Sequence, residues 1–287
     1  MTVIAATPTR VALHVGASAA RLGAVRVLVC VMWLAIVVPD PLAYLAALPA
    51  TMGQPVGVFH MTLGPDALNV LKGALIVLLV GCLAGVPGWR VLAPLTALLL
   101  TAQQALLRRY TFDNHEELAL LIVTWVMALF PAADGLSWPR RRARGGDVYA
   151  VALQAMTAFL LVPYCLIAAH RLATAAPGVF TGESLPYWLA SLHALDRDGW
   201  GTGLWALGHP GLVTALKAGF FATTIFELLG PVCLVAPRFA VVWAIVVIGF
   251  HIVNWFTLNL FFWQNALLVF ALVLCGVPRS SVRPKRR

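Results

Sequence analysis

Apolar runs of about the length of a bilayer core recur along nearly the whole chain, each closed by a short break rich in proline, glycine or charge. A helix needs about 20 apolar residues to cross the hydrocarbon layer. On that template the pattern predicts helices over 22–38, 67–86, 91–107, 117–132, 149–169, 212–235, 240–255 and 261–275. The expected fold class is therefore all-α, a polytopic transmembrane bundle of about eight spans. Proline removes a backbone donor and disfavours helix in the residue before it, so Pro-Asp-Pro at 39–41 ends the first run. Gly-Val-Pro-Gly at 85–88 makes a tight turn between the second and third. One membrane bundle over 21–277 leaves no room for a sizeable soluble domain. It is flanked by an N-terminal tail over 1–20 and a basic tail over 278–287. The first apolar run has no convincing small-residue cleavage site and reads as an uncleaved helix. No internal repeat is visible. Residues 173–211 form the one long connection on the outer side, and within it "SLPYWLASLHAL" is amphipathic, with Tyr187 and Trp188 suited to the membrane interface.

Composition sharpens this picture. Of 287 residues 61% are hydrophobic and 11% charged, far from the roughly 45–50% and about 25% of a soluble domain. The net charge of +9 would suit nucleic acid as a partner, but the cations sit at helix ends, where orientation in the bilayer explains them, so nucleic-acid binding is excluded. With the N-terminus inside, the cytoplasmic segments hold Arg10, Arg21, Arg90, four arginines within 140–144, Arg238 and five cations from Arg279 onward, thirteen in all. The outer segments hold four, Arg108, Arg109, Arg171 and Arg197. This asymmetry predicts an even number of spans with both termini cytoplasmic, and it assigns the 140–144 arginines to topology. The five cysteines lie singly in apolar runs and read as small buried hydrophobes. His60, His193 and His209 lack ligand spacing, so no metal site is expected.

The predicted topology brings polar groups from four helices to similar depth in the outer half of the bilayer. Asn114, His115, Glu116 and Glu117 sit where the fourth helix enters, Lys72 and Lys217 lie inside the outer ends of the second and sixth, and His251 and Asn254 share a face of the seventh. Glu227 lies past the middle of the sixth. Ionisable groups at such depth cost about 2.5–3.5 kcal/mol each and face protein or a water-filled cavity. Each has a plainer explanation as well. Glu227 could pair with a neighbouring helix or sit protonated, but Lys217 is about 15 Å away along the same helix and cannot reach it. His251 could be a buried histidine bonded to a carbonyl. His115 could be a wet helix-end histidine behind an Asn114 cap, and Lys72 and Lys217 could snorkel outward. The reading adopted here is an outward-facing polar cavity with His115, His251 and Glu227 as its catalytic residues: the two histidines transfer protons, histidine being the side chain that titrates nearest neutral pH, and Glu227 holds a histidine's tautomer or a cation. Asn114, Arg171, Lys217 and Asn254 would bind substrate, the cations receiving a carboxylate or polar headgroup.

In chain order, "RLGAVRVLVCVMWLAIV", "DNHEELALLIVTWVMALFPAADGLSW", "YCLIAAHRLATAAPGVFTGESLPYWL", "FELLGPVCLVAPRF" and "GFHIVNWFTLNLFFWQNALL" resemble the membrane domain of vitamin K-dependent γ-glutamyl carboxylase and its bacterial relatives, the HTTM (horizontally transferred transmembrane) group. The resemblance covers 21–277. It implies a cell-membrane location and a pocket that oxidises a reduced quinone to make a base, which then deprotonates a peptide glutamate before carboxylation. By that resemblance Asn114 and His115 match the family's Asn-His, and His251 with Asn254 its Phe-His-x-x-Asn. The chain departs from the family where the carboxylases carry a lysine before a leucine, because it reads Ala168, Ala169, His170, Arg171, Leu172. Arginine stays protonated and cannot serve as a base, and the carboxylase's large luminal domain has no counterpart in this reading. The expectation is an enzyme-like factor for an exported peptide or a quinone- or lipid-like molecule, without true glutamate carboxylation. The rival is a non-catalytic binding, immunity or transport component that uses the same cavity.

Overall fold

The computed structural model describes residues 13–14, 17–49, 53, 63–110, 116–139, 141–144, 147–175, 178–195, 201–260 and 262–277. Most of the expected N-terminal tail, all of the basic tail, and Asn114 and His115 lie outside them. The described residues are helical with no β-strand, and six helices are long and apolar enough to cross a membrane. Two further predicted segments form shorter apolar helices. By contact the chain divides into two compact units, Gly16–Phe159 and Leu160–Arg287 with Met1–Val15.

The first unit begins with α1 (Ala19–Val37), whose start is capped by the Ser18 hydroxyl accepting the Arg21 N–H. The prolines at 39 and 41 stop it, and the chain continues as a 3-10 turn over Leu42–Ala47. Helix α2 (Pro65–Ala84) starts on a proline, which has no amide to lose at that position. It ends at Gly85 in the left-handed conformation (φ 66°), as expected of a helix-terminating glycine. Helix α3 (Trp89–Arg108) follows directly, so the 85–88 turn is where the sequence places it. Helix α4 (Leu118–Ala128) has only 11 residues, about 16 Å at 1.5 Å rise, shorter than the 117–132 segment expected. A 3-10 turn (Ala132–Asp134) and the start of α5 (Val148–His170) complete the unit. Successive helices pack pairwise, α1 on α2, α2 on α3 and α3 on α4.

A buried cation ties this unit together. Arg26, fully buried on α1, donates from Nη1 to the Cys82 carbonyl at 2.6 Å and from Nη2 to the carbonyls of Gly135 (3.2 Å) and Leu136 (2.7 Å). The Cys82 carbonyl, in the last turn of α2, also accepts the Gly85 N–H, whereas those of Gly135 and Leu136 lie beyond helix ends, where backbone acceptors have no intrahelical donor. Small residues make the approach feasible. A Cβ on Gly85 would collide with the Arg26 guanidinium, and one on Gly135 with the Ala19 carbonyl.

In the second unit α5 runs on into a π-helical turn (Arg171–Ala175). Then come α6 (Gly178–Thr181), α7 (Ser184–Leu195), α8 (Thr202–Leu207), α9 (Pro210–Leu228), a 3-10 turn (Gly230–Leu234), α10 (Pro237–Leu258) and α11 (Trp263–Leu268), which continues through a π turn and a 3-10 turn to Gly276. The predicted amphipathic stretch is α7. Its Leu185 and Leu189, four apart and so on one face, are buried, while Tyr187 is exposed. Helix α10 packs on α7, α8, α9 and α11. Apolar side chains such as Val70, Val77, Val91, Leu166 and Ile245 stand exposed on the long helices. Water would cover such faces at a cost, whereas lipid chains would not. Of the cysteines, Cys30, Cys82 and Cys233 are buried as expected, but Cys165 is half-buried and Cys275 exposed. Both sit on helix faces that the neighbouring elements leave open, which a hydropathy pattern does not register.

Candidate functional site

The polar groups of the second unit gather around α9 and α10. Two groups form the centre, and a chain of aromatic rings joins them. On one side Arg171, the first residue of the π turn, donates from Nη1 to the Glu227 carboxylate at 2.9 Å and to the Thr224 hydroxyl at 2.9 Å. Glu227 and Thr224 stand three apart on α9 and so share a face. Widening the helix by one residue at Arg171 changes where its side chain points, and π turns of this kind are frequent at functional positions. The guanidinium also lies over the Phe220 ring, 4.6 Å from its centroid, which adds a cation–π attraction.

On the other side His251 of α10 is buried, with its Nε2 2.9 Å from the Tyr164 hydroxyl of α5. Its Nδ1 is buried and has no hydrogen-bond partner among the described residues. A neutral imidazole carries one N–H and one lone pair. If Tyr164 donates to Nε2, then Nδ1–H is an idle donor. If Nε2–H donates to Tyr164, then Nδ1 keeps a lone pair able to take a proton. An idle buried polar atom costs about 1–3 kcal/mol, so either tautomer leaves a position that a ligand atom or a proton would stabilise.

Aromatic contacts link the two halves. Phe220 stacks on Phe250 at 6.0 Å, Phe250 meets His251 at 5.9 Å, and Phe262 approaches His251 from beyond α10 at 5.5 Å. Tyr164 meets Trp243 edge-on at 5.4 Å, and the Trp243 indole donates to the Phe226 carbonyl at 2.6 Å. The arrangement is an ion pair and a histidine–tyrosine pair set in aromatic walls, with one ring nitrogen uncommitted.

Of the residues singled out from sequence, Arg171, Glu227 and His251 are thus brought into one network. Asn254 shares the His251 face of α10 and is half-buried; its carbonyl accepts the Asn259 N–H that closes the helix. Lys217 is half-buried on α9 and makes no ion pair among the described residues. Lys72, in the other unit, turns to the Asp40 carbonyl at 2.6 Å, just past the end of α1. Sequence reasoning missed Tyr164, Thr224 and Phe220. A tyrosine inside an apolar run is the available signal for the first, because its hydroxyl needs a partner when buried. Thr224 and Phe220 carry no such mark. No known protein family, curated protein or solved structure matches the chain.

Proposed function

We propose that this protein is a multi-pass membrane protein of HTTM type, with about eight spans and both termini in the cytoplasm, whose aromatic-walled cluster binds a quinone-like or lipid-like molecule and exchanges a proton with it. The observation that carries the reading is the uncommitted Nδ1 of buried His251, held in place by Tyr164. With Nε2–H donating to Tyr164, Nδ1 accepts the hydroxyl proton of a bound quinol, and the imidazolium formed lies in the same network as the Glu227 carboxylate. Arg171 uses Nη1 for both of its bonds, which leaves its other guanidinium nitrogens to receive a carbonyl or carboxylate, including that of an exported peptide. Lys217 and Asn254 are further candidates for contact with that substrate. Glutamate carboxylation is not part of the proposal. Arg171, at the position of the family's lysine, is a permanent cation already paired with Glu227.

Binding without chemistry is the second reading, and the internal Arg171–Glu227 pair favours it, since a pair satisfied within the protein has less to offer a reaction. Titration of the purified protein in nanodiscs with a reduced menaquinone analogue decides the matter. Saturable quenching of tryptophan fluorescence is expected, weakened about tenfold in His251→Gln, the loss of one good hydrogen bond to a buried site. Absence of quenching in the wild type would sink the quinone reading. Equal binding by His251→Gln would move the site away from His251. Labelled bicarbonate should not enter glutamate peptides supplied with reduced vitamin K, and incorporation above background would show the Arg171 argument to be wrong.

A further inference from the structure

A second candidate site lies in the first unit and shares no residue with the cluster around α9 and α10. At the start of α3 a cavity of about 350 Å³ opens between the 85–88 turn, the end of α4 and the 131–144 segment. That volume falls within the roughly 300–1,000 Å³ of small-molecule sites. Three arginines line it, Arg90, Arg141 and Arg144, with one carboxylate, Asp134. Asp134 is already committed, to Arg144 Nε at 3.1 Å and to the Tyr149 hydroxyl at 3.1 Å. The lining therefore carries three positive charges against one negative, a surplus of two. The Nη2 of Arg141 is buried and has no hydrogen-bond partner among the described residues. Helix α3 begins at this cavity with no side-chain cap and no acidic residue in its first turn. The first bonds of the helix to Gly88 are made by Val91 and Leu92, so the amides of Trp89 and Arg90 have no backbone acceptor among the described residues, as is usual for first-turn amides.

We infer that this cavity binds a phosphate group, its oxygens taken by Arg90 and Arg141 and by the first amides of α3. Arginine forks match phosphate geometry with paired N–H donors, and helix starts favour anions through both their free amides and their dipole. A phospholipid headgroup is the favoured source. The cavity sits at the first residue of a membrane-length apolar helix, the level at which headgroups lie. One of its lining residues, Leu129, is apolar and 78% exposed, a suitable neighbour for the glycerol backbone and upper acyl chain. In the proposed topology this end faces the cytoplasmic leaflet, whose anionic lipids are drawn to basic pockets between helices.

Native mass spectrometry of the full chain, released from nanodiscs of mixed phosphatidylglycerol and phosphatidylcholine, tests this directly. The wild type should retain phosphatidylglycerol selectively, and Arg90→Gln and Arg141→Gln should each lower its retention about tenfold, as expected for one charge-assisted contact. Arg90 is exposed and makes no ion pair among the described residues, so its variant keeps the fold, which an unchanged melting curve would verify. Arg141→Lys should recover only part, because lysine brings charge without the fork. A second arm uses glycerol 3-phosphate in detergent. Saturable stabilisation there, with no selectivity among lipids, would support the phosphate site and assign it to a soluble ligand. Equal retention of both lipids with no response to glycerol 3-phosphate, or retention unchanged in both arginine variants, would overturn the proposal.

Discussion

At the scale of single residues, the Arg171–Glu227 pair makes the sharpest demand. Glu227 is almost fully buried and Arg171 keeps 19% of its side-chain exposure, so truncating the acid strands a cation that water reaches only in part. Removing one partner of a buried pair costs about 3–5 kcal/mol, and that exposure places Glu227→Ala near the lower end. Replacing both partners with methionine should restore most of the loss, because burying two apolar side chains does not carry the cost of desolvating two charges. Denaturation of the wild type and both variants in mixed micelles measures the difference. A double variant no more stable than Glu227→Ala would show that the pair is not what stabilises this corner. The role of Glu227 was half legible in the sequence. Its depth in an apolar run announces that it needs a partner, but Arg171 lies 56 residues away, and hydropathy carries no information on which helices meet.

At the scale of elements, close packing of α1 is controlled by glycines and by one arginine. A Cβ on Gly135 would run into the backbone carbonyl of Ala19, an atom that cannot swing aside. Gly135→Ala should therefore destabilise the first unit by about 1–3 kcal/mol, the usual cost of overpacking. Arg26→Met should cost at least as much, because it removes the guanidinium donor from the carbonyls of Gly135 and Leu136 and leaves that of Cys82 with the Gly85 N–H alone. Melting of each variant, followed by tryptophan emission, checks both; a wild-type melting curve for Arg26→Met would mean that those carbonyls are satisfied otherwise. In the second unit Trp243→Phe removes the indole bond to Phe226, and about 1 kcal/mol is expected from that bond alone.

At the scale of the whole molecule, the prediction is topology. Thirteen cations against four predict the 140–144 segment and the C-terminus in the cytoplasm and position 196 outside. Reporter fusions at Arg142, at position 196 and at the C-terminus read this directly. An outer-side signal at Arg142 would reverse the orientation, and with it the leaflet proposed for the phosphate cavity. The six long helices stand whatever that result, because their length and apolar character do not depend on direction.

The sequence by itself determined the all-α class, the long apolar helices, the break after α1, the turn at 85–88 and the amphipathic α7. All are local consequences of hydropathy, proline and glycine, and a single stretch of chain is enough to express them. It also marked Glu227 and His251 as residues in need of company. Only the tertiary structure decided who that company is. Tyr164 reaches His251 across 87 positions, and Arg26 reaches Leu136 across 110. The same holds for the arginines of 140–144, which read as orientation signals in sequence, whereas folding sets Arg141 and Arg144 beside Arg90 on a cavity. Helix formation follows from neighbours within four residues, but a buried polar group is satisfied by whichever helix packing brings within about 3 Å, and that choice belongs to the assembled chain.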